Sequence, residues 1–93
     1  AQFLMAHSGG DWERGLRIIR HVPNIVADLC GGNPEQGQTE LAVMLLGARR
    51  VVFGSDAGGR SFASQLAKVL GAEINEVDRA LILGGNIARM MGL

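Results

Sequence analysis

The sequence predicts an α/β fold in which three parallel strands alternate with helices. Three short apolar runs each lead into a turn-rich stretch and then into a helical pattern, which is the rhythm of successive βα units. The runs are nearly continuous rather than alternating in polarity, and this indicates strands that are covered on both faces. With 93 residues, of which 47% are hydrophobic, the chain provides one domain or less.

Each predicted strand is a short apolar run bounded by turn-forming residues. The first run begins almost at the amino end of the chain, and each of the other two follows a short turn without polar side chains. An abrupt start of this kind predicts that the chain is truncated at its amino end. The predicted strands cover residues 3–6, 24–29 and 49–53.

Apolar residues at helical spacing predict the helices that follow the first and third strands. The two stripes consist of Trp12, Leu16 and Ile19, and of Phe62, Leu66, Val69 and Leu70. Residues 33–36, Asn-Pro-Glu-Gln, predict the start of the second helix, because a cap residue is followed by proline at the first helical position. Gly47 and Gly71 are predicted to end helices in a left-handed conformation.

The carboxyl-terminal part of the sequence predicts further helix. Asn75 followed by Asp78 is typical of a capped helix start. Residues 84–86, Gly-Gly-Asn, predict a break, after which a terminal helix would dock through Met90 and Met91.

Composition excludes several classes of function. Nine basic residues balance nine acidic ones, and three Phe with one Trp are the only aromatic residues, so nucleic acid is not an expected partner. No apolar run reaches the ~18 residues of a membrane span, and the amino end has no signal-peptide pattern, so we expect a soluble protein. The lone Cys30 excludes an internal disulfide and fits a reducing cytoplasm.

Polar residues are concentrated in the segments that directly follow the three predicted strands. These segments are 7–10 (His-Ser-Gly-Gly), 30–33 and 54–60, whereas the loops at the opposite ends of the strands are short and plain. In parallel α/β architectures, ligands bind at the carboxyl ends of the strands. We therefore expect His7 and Asp56 to share one face of the molecule.

An imidazole and a carboxylate that face one pocket have three possible uses. They can both ligate a metal, they can act as a general acid and base, or one can ligate a metal beside a proton carrier. The structural alternatives are a loop-bonding histidine for His7 and a turn or helix-cap aspartate for Asp56. Asp28 and Cys30 are minor candidates at the same edge, with Cys30 expected to be inert packing.

Four runs in order, FLMAHSGG, NIVADLCGG, RVVFGSDAGG and GGNIARMMGL, resemble the last three βα units of the amidohydrolase superfamily. The most similar branch is the amidohydrolase-related group of metal-dependent hydrolases and nonoxidative decarboxylases. The resemblance implies that residues 1–93 form the carboxyl-terminal three βα units, strands 6 to 8 with the closing helices, of a TIM-type (β/α)8 barrel.

The resemblance also implies roles for individual residues. The family's active-site histidine corresponds to His7, and its metal-binding aspartate corresponds to Asp56, with a divalent metal that is often Zn²⁺. The family's other histidine ligands have no counterpart here, so a missing amino-terminal barrel segment is an implied partner, beside a small-molecule substrate and a possible homo-oligomer. Residues 57–60 depart from the family's usual aromatic and proline, which leaves the substrate class open.

Two functions of different classes compete at this point. The first is part of a metal-dependent hydrolase or decarboxylase for a small carboxylate-bearing substrate, inactive as an isolated chain, in which Arg60 could hold the substrate carboxylate. A solvated arginine at a helix start is the alternative for Arg60. The second function is a non-catalytic anion-binding module that uses the glycine-rich loops before the helices. No phosphate-loop pattern supports this second function.

Overall fold

The computed structural model describes residues 1–32 and 36–93, and these residues form a three-stranded sheet with helices. Short helical turns also occur at Ala6–Gly9 and Ala48–Arg50, and a π-helical turn occurs at Leu81–Gly85. None of the helices in the described part is long and apolar enough to cross a membrane. The strands are β1 (Phe3–Met5), β2 (Ile25–Asp28) and β3 (Val51–Val52), and the helices are α1 (Trp12–Ile19), α2 (Gln38–Leu46), α3 (Phe62–Leu70), α4 (Glu76–Ala80) and α5 (Asn86–Met90).

The sheet is parallel throughout, as predicted, and its spatial order is β1-β2-β3, so the second strand lies in the middle. Leu4 pairs with Val26, and Ala27 pairs with Val51. The strands are shorter than predicted, and β3 is the shortest. It begins late because Arg50 belongs to a helical turn.

The core lies between the sheet and the helices that cover it. It is built from Leu16 and Ile19 of α1, small and branched strand residues, and apolar residues of the later helices. Burial of one such aliphatic side chain contributes about 1.5–3 kcal/mol. Because Leu16 and Ile19 are both buried, the predicted apolar stripe on α1 is confirmed for these two residues.

The predicted apolar stripe on α3 is only partly correct. Val69 is fully buried, but Phe62 is 58% exposed and Leu70 is also exposed. The helix instead turns Gln65 and Lys68 inwards. For Lys68, this orientation is possible because its ammonium group donates hydrogen bonds to backbone carbonyls.

The predicted helix ends have mixed outcomes. Gly47 has the expected positive φ of 79°, but its ψ of 148° lies outside the left-handed helical region. Gly71, at φ −89° and ψ −2°, stays right-handed, so that prediction is wrong. Gly71 does not need a left-handed turn, because its N–H continues the helical pattern by donating to the Ala67 carbonyl. Residues 33–35 of the predicted second-helix start lie outside the described residues. The Asn75 cap is confirmed, since its side-chain oxygen accepts from the Asp78 N–H at 2.8 Å.

The predicted break at residues 84–86 is wrong. The chain passes from α4 through the π-helical turn into α5 without interruption. The wide turn leaves the Ile82 carbonyl to accept a hydrogen bond from the Phe53 N–H at 2.9 Å, which links the end of β3 to this helix. The terminal helix docks through the fully buried Asn86, while Met91 is 68% exposed.

Candidate active site

The carboxyl ends of the outer strands bring the two predicted site residues together. His7 lies just after β1 and Asp56 lies just after β3, and the His7 Nε2 and Asp56 Oδ2 atoms are 3.8 Å apart. The convergence expected from parallel strands is therefore present, although β2 lies between the two strands. Arg60 joins them, since its Nε atom is 3.9 Å from the same Asp56 oxygen.

Both site residues have an unusual backbone conformation. Within the described ranges 1–32 and 36–93, His7, Ser8 and Asp56 are the non-glycine residues with positive φ, at 57°, 47° and 53°. Left-handed backbone is disfavoured for residues that carry a Cβ, and such strain concentrates at functional sites. The strain at this edge of the sheet coincides with the residues that carry its chemistry.

Hydrogen bonds hold both strained loops in place. The buried Ser8 hydroxyl donates to the Asp28 carbonyl at 3.0 Å and accepts from the Gln38 side-chain amide at 3.4 Å. The Asp56 carbonyl accepts from the N–H groups of Gly59 and Arg60, both at 3.1 Å. Neither loop depends on the site side chains for its own conformation, so these side chains remain available for a ligand.

The His7 imidazole rests on the backbone of Gly31, in the loop after β2. A Cβ atom at this position would lie 2.8 Å from His7 Cδ2 and 2.9 Å from Cγ. Gly31 also has a φ of +80°, which a residue with a side chain rarely adopts. Glycine is therefore required here for two reasons, the closeness of the ring and the backbone conformation.

Asp28 and Cys30 serve the structure of this loop. The Asp28 carboxylate accepts from the Cys30 N–H at 2.9 Å and lies so close to Gly54 that a Cβ there would be 2.4 Å from its Oδ1 atom. Cys30 is buried, and desolvation raises the pKa of its thiol, a change that the hydrogen bond from the His7 backbone N–H partly opposes. The expectation of an inert, packed cysteine agrees with this environment.

A small cleft opens beside the two site residues. Its volume is about 180 Å³, and His7, Trp12, Gln38 and Arg60 contribute to its walls together with loop glycines. Complete small-molecule pockets usually measure about 300–1,000 Å³. The cleft is thus large enough for part of a small ligand.

The side chains present fit one part of a divalent-metal site. A carboxylate oxygen and an imidazole nitrogen are both ligands that Zn²⁺ accepts. In residues 1–32 and 36–93, no three His, Cys, Asp or Glu side chains are grouped so that they could hold a metal ion. Since a catalytic zinc normally has three protein ligands, this pair needs at least one additional ligand.

The amidohydrolase family model matches residues 1–93. The chain belongs to the amidohydrolase family. No curated protein matches the chain in sequence. Several solved structures match its fold, and the chain spans 34–44% of the length of those described next.

The 2,6-dihydroxybenzoate decarboxylase from Rhizobium is 16% identical, with a TM-score of 0.79 over 98% of this chain and 34% of its own. An amidohydrolase from Burkholderia multivorans with bound zinc is 19% identical, with a TM-score of 0.78 over 99% of this chain and 44% of its own. A dihydroxybenzoic acid decarboxylase from Polaromonas with bound manganese is 17% identical, with a TM-score of 0.77 over 99% of this chain and 34% of its own.

These similarities establish the fold class of this amidohydrolase-family chain. It consists of three consecutive βα units of a TIM-type barrel with parallel strands and covering helices. The family and the matching structures are enzymes, among them decarboxylases, and the metals bound in two of the structures are divalent.

Sequence reasoning missed the residues that support the site. The sequence pattern identifies Ser8 only as part of a polar turn and Gly31 only as a loop glycine, although both lie against the site. Lys68 was missed altogether, yet it is the only lysine of the sequence and is spaced three residues after Gln65 within an apolar helix. That spacing of two long polar residues on one helical face was the available signal.

Proposed function

We propose that this chain forms the carboxyl-terminal part of the barrel of a metal-dependent enzyme that hydrolyses or decarboxylates a small, carboxylate-bearing substrate. One observation carries the proposal: the His7 Nε2 and Asp56 Oδ2 atoms approach to 3.8 Å at the carboxyl edge of the sheet. In TIM-type barrels, catalytic residues come from the carboxyl ends of several strands. Membership of the amidohydrolase family supports an enzyme over an anion-binding module.

Each site residue has a distinct role in this proposal. Asp56 holds a divalent metal, which we propose is Zn²⁺ and which supplies positive charge that polarises the substrate when bound. His7 donates or accepts a proton at its Nε2 atom, because imidazole is the side chain best suited to proton transfer near neutral pH. Arg60 binds the substrate carboxylate, for which its guanidinium has matching geometry.

The proposal includes an upstream barrel segment that provides the remaining metal ligands. Phe3 and Leu4 of β1 are 59% and 48% exposed, and β1 is hydrogen-bonded to a neighbouring strand on one side only within the described residues. Apolar strand edges of this kind favour association. We therefore expect the isolated chain to be inactive, to bind Zn²⁺ weakly and to self-associate, and we place the complete protein in the cytoplasm.

The roles of Asp56 and His7 are tested in the complete protein. Asp56→Ala removes the bound metal, whereas His7→Ala retains the metal and lowers turnover by about 10² to 10⁴-fold, the usual contribution of a general acid or base. Metal content is measured by elemental analysis, and turnover with a panel of small aromatic carboxylates that includes 2,6-dihydroxybenzoate.

Matched controls are available for both substitutions. Asp78→Ala and His21→Ala make the same chemical changes away from the site, and both variants should retain metal and turnover. If Asp56→Ala kept full metal content and full activity, the proposed role of Asp56 would be wrong.

The upstream segment is tested by expressing this chain alone and together with that segment. We expect co-expression to restore solubility and metal binding together, because assembly of a ligand set is coupled to folding. Light scattering and metal titration measure both properties. A monodisperse monomer that binds one Zn²⁺ tightly without the upstream segment would contradict the proposal.

A further inference from the structure

Lys68 places a buried ammonium group beneath the candidate site. It lies on α3, is only 8% exposed, and directs its Nζ atom at the loop that follows β2. Nζ donates to the Leu29 carbonyl and, at 3.0 Å, to the Gly31 carbonyl. The two acceptors flank Cys30, so one side chain fixes the backbone on both sides of a single residue.

The same loop is the surface on which His7 rests. The imidazole contacts the Gly31 backbone so closely that a Cβ atom there would be 3.0 Å from His7 Nε2. Any shift of Gly31 therefore moves the ring or removes its support.

We propose that Lys68 is a positioning residue, which holds the loop after β2 so that Gly31 sets the orientation of the His7 imidazole towards Asp56. This inference rests on the proposed function, because it assigns a task to His7. It adds a residue from α3, a helix whose side chains do not line the His7 cleft.

The environment of Lys68 favours this role over simple packing. Burial lowers the pKa of its ammonium group, an effect that the negative charges of Asp28 and Asp56 oppose. A buried charge is unfavourable unless its hydrogen bonds are satisfied, and an apolar residue would fill the same space without that cost. The gain from a lysine here is the fixed position of two carbonyls.

Arg79 provides a comparison within the same chain. Its guanidinium also binds several backbone carbonyls, including those of Leu70 at 3.1 Å and Ile74 at 3.0 Å. These acceptors lie at the carboxyl end of α3 and in the turn that follows it, away from His7. Arg79 is therefore a matched control, because it stabilises a loop by the same chemistry without contacting the site.

The test uses the complete, metal-loaded protein and the variant Lys68→Met, which keeps the length of the side chain but removes its donors. We expect kcat to fall by about 10-fold or more, since small misplacements of a catalytic group can lower rates by up to ~10²-fold. Metal content should be unchanged. The ¹H–¹⁵N resonances of the His7 ring should shift while those of His21 do not.

Three further variants make the result specific. Lys68→Gln keeps a neutral N–H donor and should recover part of kcat, and it replaces Lys68→Met if the latter does not fold. Gly31→Ala, with Lys68 intact, should shift the same His7 resonances. Arg79→Met should lower the melting temperature but leave the His7 resonances and kcat unchanged.

The proposal is overturned if neither Lys68 variant changes the His7 resonances or kcat, while Gly31→Ala does change them. This outcome differs from a failure of the proposed function. If His7→Ala had no effect on turnover, the function would be wrong, but the ring resonances would still report whether Lys68 positions His7.

Discussion

The two edges of the sheet are both held by a cationic side chain that binds backbone carbonyls, but they differ in conformation and exposure. At the amino edge, the Arg50 guanidinium donates to the carbonyls of Ile19, Arg20, Val22 and Ile25 at 2.7–3.1 Å. At the carboxyl edge, Lys68 holds one loop, and the neighbouring loops contain left-handed residues and half-exposed site side chains.

This difference shows how one small fold separates stability from chemistry. At the amino edge, the Arg50 side chain joins α1, the turn that follows it and β2. The carboxyl edge retains strained backbone, which is typical of functional sites. Substitutions at the amino edge should therefore change mainly the free energy of unfolding, and those at the carboxyl edge mainly turnover.

The largest stability effect is expected for Arg50→Met. The substitution leaves several carbonyls without a charged donor, and each hydrogen bond to a charged group contributes about 1.5–3 kcal/mol, so we expect a loss of ~3 kcal/mol or more. Urea unfolding measures this loss, and turnover per folded molecule should stay unchanged. The neighbouring Arg49→Met should change stability by less than ~0.5 kcal/mol. A small effect of Arg50→Met would remove the distinction between the two edges.

Asn86→Ala is expected to have the next largest effect. The buried Asn86 amide donates to the carbonyls of Ala48 and Val51, both at 2.7 Å, so its removal leaves two buried acceptors unpaired. We expect a loss of about 2 kcal/mol in the free energy of unfolding. Arg89→Met removes the guanidinium that donates to the Asn86 Oδ1 atom and to the Arg49 carbonyl, but keeps the Asn86 amide, and it serves as the control. A loss as large for Arg89→Met would show that the amide is not the stabilising group.

Ser8→Gly should sharpen the comparison at the carboxyl edge. Glycine relieves the left-handed conformation at Ser8, which costs about 1–3 kcal/mol, but it also removes the hydrogen bond to Asp28. The two changes oppose each other, so we expect stability to change by less than ~1 kcal/mol while kcat falls in the complete protein. Ser8→Ala, which keeps the strain and loses the bond, should be less stable than Ser8→Gly. The reverse order would show that strain at Ser8 is negligible.

The smallest expected effect is the alkaline response of Cys30. Burial raises the pKa of its thiol above the ordinary value of 9.0. The folded state therefore binds the proton more tightly than the unfolded state, which stabilises the folded state. This stabilisation is fully present below pH 9.0 and is lost as pH rises through the folded-state pKa. The stability of Cys30→Ala, followed by urea unfolding from pH 8 upwards, should fall less steeply than that of the unchanged protein. Parallel curves would contradict the raised pKa.

The sequence predicted the parts of the site that follow from strand order. His7 and Asp56 were identifiable because each follows a buried parallel strand, and carboxyl ends of parallel strands meet at one edge. The spacing of Gln65 and Lys68 places both residues on one face of α3, but the acceptors of Lys68, Leu29 and Gly31, were not identifiable, because they lie far away in the sequence. A local pattern of apolar spacing contains no information on such distant partners.

The π-helical turn after α4 connects the register of a helix to the position of the site. A π turn closes over five residues rather than four. Deleting Gly84 would favour a regular α-helix in which the Ile82 carbonyl turns to a helical partner, leaving the Phe53 N–H without its acceptor. Phe53 lies three residues before Asp56. The number of residues in the π-helical turn therefore affects the position of the Asp56 carboxylate, although the turn comes later in the chain.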